Sequence, residues 1–179
     1  MPERPWVGFL RGMNLGSRRL TNDELVHVVR GCGCEDVNAY QASGNVVFKD
    51  DRLEDEITAV LTTGLAASLG YPVPVFLRDA ADVRDIAEAT PFTQPQVAES
   101  RSKPQVILLA RRLSAPALKE VMDLAPDGDV LVPATRELHW LPATGVGDST
   151  LDFRRLDQLT GGTTVRTLNT VQRIASKYL

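Results

Sequence analysis

The apolar run Val7-Gly8-Phe9-Leu10 stops abruptly at Arg11 and Gly12. Such a run with a sharp polar end predicts a strand over Trp6 to Arg11. The period of the apolar positions then changes. Leu25, Val28 and Val29 form a helical stripe, preceded by Thr21 and Glu24 at capping-box spacing and followed by Gly31 and Gly33. Two short strands, Asp36 to Gln41 and Asn45 to Phe48, flank Ala42-Ser43-Gly44, whose residues suit a hairpin turn. Leu53, Ile57, Val60, Leu61 and Leu65 predict a second helix, ended by Gly70, and Pro74 to Leu77 a fourth strand.

A connector follows, with a helix over Ala81 to Ala89 and an irregular polar stretch from Thr93 to Pro104. The order of elements then repeats. Gln105 to Ala110 reads as a strand, Ser114 as the N-cap of a helix through Leu124, and Asp129 to Val132 with Glu137 to Leu141 as a hairpin. Ser149 to Leu159 is amphipathic, Thr163 to Val165 a short strand, and a helix from about Leu168 to Tyr178 closes the chain. The fold class expected is α+β: tandem duplicated ferredoxin-like units, each a βαββαβ plait. The organisation expected is unit 1 at 1–78, a connector at 79–104, unit 2 at 105–166 and a C-terminal helix at 167–179.

This topology says where loops meet. A helical crossover makes the first two strands parallel, and the third runs antiparallel between them. The exit of the first strand and the hairpin turn therefore share one sheet edge. Arg11 and Asn14 come near Ser43 and Asn45, beside the start of the first helix with Arg18 and Arg19. Arginines, free backbone N–H groups and a helix N-terminus suit an anion, so a small phosphate-bearing ligand is expected there. The arginine fork serves a ligand or the loop carbonyls equally well. Asn14, Ser43 and Asn45 are turn residues before they are ligand residues. In the second unit, the loop Gly145 to Ser149 and the stretch Thr164 to Thr170 share an edge. Ser149, Arg166 and Asn169 are therefore a candidate second half of the site.

Composition narrows the classes. The chain of 179 residues is 43% hydrophobic and 24% charged, with net charge -3 and no long basic run. That counts against nucleic acid or an anionic membrane as partner. Cys32 and Cys34 lack C-x-x-C spacing, so two reduced thiols in a cytoplasmic protein are expected. No apolar run reaches the ~20 residues of a membrane span. No signal peptide is recognised. The carboxylates and the histidines, His27 and His139, show no metal-ligand spacing, and no cofactor or catalytic residue is assigned. Ser43 lacks the G-x-S-x-G context of a hydrolase nucleophile.

The stretch Phe9-Leu10-Arg11-Gly12-Met13-Asn14-Leu15-Gly16, followed by Ser43-Gly44-Asn45-Val46-Val47-Phe48, resembles the signature of the DUF1697 family of small bacterial proteins. The likeness continues at Thr90-Pro91-Phe92, Gly145 to Ser149 and Thr164 to Val171. It implies tandem ferredoxin-like folds and brings no activity. Ala42 separates Gln41 from Ser43 where the family has Gln and Ser adjacent, and Thr167-Leu168 stands where it has Asn-Trp. Two other readings compete with an anion site. One is nucleic-acid binding through the sheet face, with Phe9 and Phe48 stacking bases. The other is a structural or interaction role, including self-association over the face left bare by one-sided helices.

Overall fold

The computed structural model describes residues 3–12, 20–41 and 44–179. The first series of elements is β1 (Arg4–Leu10), α1 (Asn22–Gly31), β2 (Glu35–Ala39), β3 (Asn45–Asp50), α2 (Glu54–Leu69) and β4 (Val75–Asp79). Helices α3 (Ala80–Glu88) and α4 (Gln94–Glu99) follow. The second series is β5 (Gln105–Leu109), α5 (Ala115–Met122), β6 (Val130–Pro133), β7 (Glu137–Leu141), α6 (Phe153–Thr160) and β8 (Thr163–Thr167), closed by α7 (Leu168–Tyr178). The fold is mixed α+β with two four-stranded antiparallel sheets in two similar halves, ordered β2-β3-β1-β4 and β6-β7-β5-β8. The chain divides into two compact units, Met1–Asp85 with Ile174–Leu179, and Ile86–Arg173.

Alternation along β1 sends Trp6 and Leu10 into the first core, with Leu25, Val29, Phe48, Ile57, Leu61, Leu65 and Leu77. Val7 and Phe9, on the opposite face, are also buried, which is why this central strand reads as an unbroken apolar run. The second core gathers Ile107, Leu109, Val121, Leu131, Leu138, Trp140 and Leu156. Phe153 meets the Trp140 ring edge-on at 5.6 Å.

Helix α1 starts where the sequence says. Glu24 N donates to Thr21 Oγ1, and Glu24 Oε2 accepts from Thr21 N, a closed capping box. Two expectations are corrected. The stretch from Thr93 is not wholly irregular: Thr93 caps α4, with Thr93 N donating to Gln96 Oε1 at 2.8 Å. Pro95 is tolerated in the first turn because its missing N–H has no partner there. Helix α6 begins at Phe153 rather than Ser149, because Asp152 is the residue that caps it, accepting from Arg155 N at 2.9 Å.

The two halves repeat at the level of single hydrogen bonds. At the exit of β1, Leu10 N donates to Gly44 O (2.7 Å) and Arg11 N to Pro74 O (3.1 Å). At the exit of β5, Leu109 N donates to Arg136 O (2.8 Å) and Ala110 N to Gly162 O (3.0 Å). The registers agree with this equivalence. Phe9 pairs with Asn45 and Phe76 as Leu108 pairs with Glu137 and Thr164.

Candidate functional site

In the first unit, three segments meet at one sheet edge: the exit of β1, the β2–β3 hairpin and the chain entering β4. The bonds from Leu10 N and Arg11 N fix them there. Arg11 is exposed at this edge. Gly12 and Gly44 both have φ of +74°, a left-handed backbone that glycine adopts at little cost. Asn45 lies beneath them, fully buried. Its Nδ2 donates to Tyr40 O at 3.0 Å while Tyr40 N donates to Asn45 O, so the side chain staples the hairpin. Asn14, Ser43, Arg18 and Arg19 lie outside the described residues.

The start of α1 offers an anion less than the sequence suggested. The Glu24 carboxylate already sits at that helix end, accepting from Thr21 N and Thr21 Oγ1, both at 2.8 Å. These bonds hold its pKa below the ordinary carboxylate value. A second anion there would meet a fixed negative charge.

The three residues named in the second unit have separate duties. Ser149 Oγ donates to Asp129 Oδ2 (3.0 Å) and accepts from Leu151 N (3.2 Å). The same Asp129 carboxylate accepts from Trp140 Nε1 and Ala143 N, both at 2.8 Å. Ser149 thus belongs to a bracket between the start of β6 and the end of β7. Arg166 projects from β8, where Nη1 donates to Thr164 Oγ1 (2.9 Å) and Val165 O (2.8 Å). Burial of the guanidinium pushes its pKa down to about 10. Asn169 is exposed in the first turn of α7, whose start is capped by Thr167.

Sequence reasoning missed the second unit's counterpart of the β1 exit. A cavity of about 450 Å³ opens at the exit of β5, lined by Leu109, Arg112, Leu113, Leu118, Glu137 and Leu138 together with the turn Pro133 to Thr135. The signal was available. The geometry that joins Arg11 to the first hairpin joins Arg111 and Arg112 to the second.

The aromatics offered for base stacking are unavailable. Phe9 and Phe48 are 0% and 1% exposed. Trp6 is the β1 partner of Phe48, and Phe9 lies an odd number of residues along, so the two rings point to opposite faces. They cannot form one platform.

The cysteines are free thiols: Cys32 sits at the C-terminal end of α1 and Cys34 is buried. Burial pushes the Cys34 thiol up to about 12 and raises that of Cys32. Arg52 spans this corner, bonding Asp50 through Nε (2.8 Å) and Nη2 (2.5 Å) and the Cys32 carbonyl at 3.0 Å. Among the described residues, no three of His, Cys, Asp and Glu gather as metal ligands. No described helix is long and apolar enough to cross a membrane.

A family model described as a protein of unknown function, DUF1697, matches residues 4–139. The chain belongs to the DUF1697 family. The matched span takes in the β1 exit, the first hairpin and the turn of the second. The conserved bacterial protein SP0830 from Streptococcus pneumoniae has a similar structure, with a TM-score of 0.76 over 98% of each chain. At 16% identity this likeness concerns the fold alone. The comparison with curated proteins gives no match. DUF1697 membership thus fixes the kinship of the chain and supplies no reaction.

Proposed function

We propose that each unit is a ferredoxin-like plait and that this DUF1697 protein holds a small anionic, phosphate-bearing ligand at the exit of β1. The strand orders support the first part, since the strand between β1 and β2, and between β5 and β6, is in each case the third of its series. The second part is supported by the pinned edge itself. Leu10 N and Arg11 N bind backbone carbonyls of two other segments, which fixes an exposed arginine beside a hairpin and a left-handed glycine. A ligand there gains from the guanidinium and from loop N–H groups, while the start of α1 is occupied by Glu24. The free thiols agree with a reducing, cytoplasmic setting.

A second reading, that the motif residues brace the fold, is favoured by Asn45 and Ser149, whose side-chain bonds are structural. Arg11→Ala separates the two. Thermal shift of the full chain is measured with inorganic phosphate and a panel of sugar phosphates and nucleotides. A ligand at about 100 times its dissociation constant stabilises by roughly 2.7 kcal/mol. The anion site requires such a shift in the wild type and its loss in an otherwise stable Arg11→Ala. No shift with any phosphate, or the same shift in the variant, would leave the bracing role.

A further inference from the structure

We propose that the second unit binds an aliphatic monocarboxylate in the cavity at the exit of β5, with Arg112 holding the carboxylate at the opening and a leucine wall taking the chain. The cavity, about 450 Å³, falls within the ~300–1,000 Å³ of small-molecule sites. The end of β5, the loop into α5, α5 itself and the β6–β7 hairpin build it.

The opening is cationic. Arg112 lines it as an exposed cation and makes no hydrogen bond or ion pair with any described residue. Its neighbour Arg111 is turned to the Leu159 carbonyl at 3.4 Å. One guanidinium is therefore left at the cavity, and its planar fork matches the two oxygens of a carboxylate. Thr135, in the hairpin turn, adds a hydroxyl that is likewise uncommitted among the described residues and can donate to one of those oxygens.

Glu137, the acid among the lining residues, does not oppose an anion there. Leu138 pairs with Ile107, and both belong to the second core. Glu137 is the residue before, and it pairs with Leu108. Alternation along β7 therefore sends the Glu137 side chain to the opposite face of the sheet. At the hairpin it contributes backbone, its carbonyl accepting from Ala134 N at 2.9 Å. Arg112 is thus the charged side chain that the lining residues leave on the cavity's face.

The interior is apolar. Leu113 and Leu118 form a half-buried wall, with Leu109 and Leu138 buried behind them. A hydrocarbon chain that displaces water from such a wall binds more tightly with each methylene it buries. An inorganic phosphate would gain from Arg112 and leave the leucines wet. An alcohol would cover the leucines and leave the fork without an anion, and an amine would be repelled by it. A carboxylate with an aliphatic chain uses both features.

The test is isothermal titration calorimetry of the full chain with butanoate, hexanoate, octanoate and 1-hexanol, the uncharged match to hexanoate. A buried methylene tightens binding by up to about fourfold, so octanoate is expected to bind at least about tenfold more tightly than butanoate. Hexanoate should exceed 1-hexanol by about tenfold or more, and Arg112→Ala should weaken octanoate by a similar factor. Arg111→Ala, beside it in sequence, should change nothing. Arg112 is exposed, so its variant should fold, as circular dichroism checks, and the comparison of hexanoate with 1-hexanol needs no variant at all. Absence of octanoate binding at millimolar concentration overturns the proposal. So does butanoate as tight as octanoate, 1-hexanol as tight as hexanoate, octanoate binding unchanged in Arg112→Ala, or an equal loss in Arg111→Ala. Arg11→Ala should leave octanoate binding intact, so this result stands apart from that at the β1 exit.

Discussion

Asn45 has its whole side chain out of water and its amide committed to the Tyr40 carbonyl. Removing one partner of a buried hydrogen bond leaves the other unsatisfied, at a cost of about 1–3 kcal/mol. Asn45→Ala should lower the unfolding free energy by that much in urea denaturation, and Asn45→Asp should be no better, because an ionised aspartate cannot donate to a carbonyl. Retention of wild-type stability in both would show that the staple contributes nothing. Arg11 is different in kind: it is exposed, and its backbone N–H donates to Pro74 O at the strand's exit. The sequence marks both residues as polar punctuation at the ends of apolar runs. It cannot tell them apart, because whether a side chain points into a core or out of it depends on the neighbours that close over it. Gly64 makes the same point. A Cβ there would collide with Cys32 Sγ, so a glycine inside α2 is required by the residue that caps the end of α1, far away in sequence.

Among the elements, those with local signals were legible. Thr21 and Glu24 announce α1, Ser114 announces α5, and Glu137 to Leu141 alternates into β7. Helix α4 carried the same kind of signal, Thr93 with Gln96, but Pro95 within it and Pro104 beyond it masked it. The start of α6 was misplaced because Ser149 and Asp152 are both good caps, and the choice was made by Asp129 across the hairpin. That carboxylate accepts from Trp140 Nε1, Ala143 N and Ser149 Oγ, and so ties β6 to the end of β7 and to the loop before α6. Asp129→Ala strands the indole N–H of a fully buried Trp140 and should destabilise by roughly 2–4 kcal/mol, whereas Ser149→Ala should cost only about 1 kcal/mol. Equal effects in chemical denaturation would show that the bracket is not centred on Asp129.

The whole molecule should lose stability on mild acidification. His139 is buried in β7, its Nδ1 has no hydrogen-bond partner among the described residues, and burial pushes its pKa below 6.5. The unfolded chain therefore binds a proton that the native state resists. Stability is fully present above pH ~6.5 and is lost as pH falls toward the lower native pKa, by at most about 1.4 kcal/mol per pH unit. Urea midpoints from pH 8 to pH 5 should show this slope, and His139→Gln should flatten it. An unchanged slope in the variant would place its origin elsewhere. A second loss follows at lower pH. Burial would raise the Asp50 pKa, but its hydrogen bonds from Arg52 outweigh that and hold it below 3.8, so its contribution disappears only as pH falls through that lower value.

The order of elements, the doubling of the series and the convergence of the β1 exit with its hairpin were all decided by sequence. Each follows from local periodicity and from the rule that a helical crossover makes two strands parallel. Kinship also needed only the motifs after β1 and at the hairpin. The tertiary structure alone decided which polar residues are structural and which remain available. Asn45 and Ser149 are claimed by partners that the fold brings to them, and Glu24 takes the helix end that an anion would have used. The cavity at the β5 exit likewise appears only when Arg112, Glu137 and four leucines from separate segments are assembled. Burial and hydrogen-bond satisfaction are properties of neighbours in space, and a linear pattern records only neighbours along the chain.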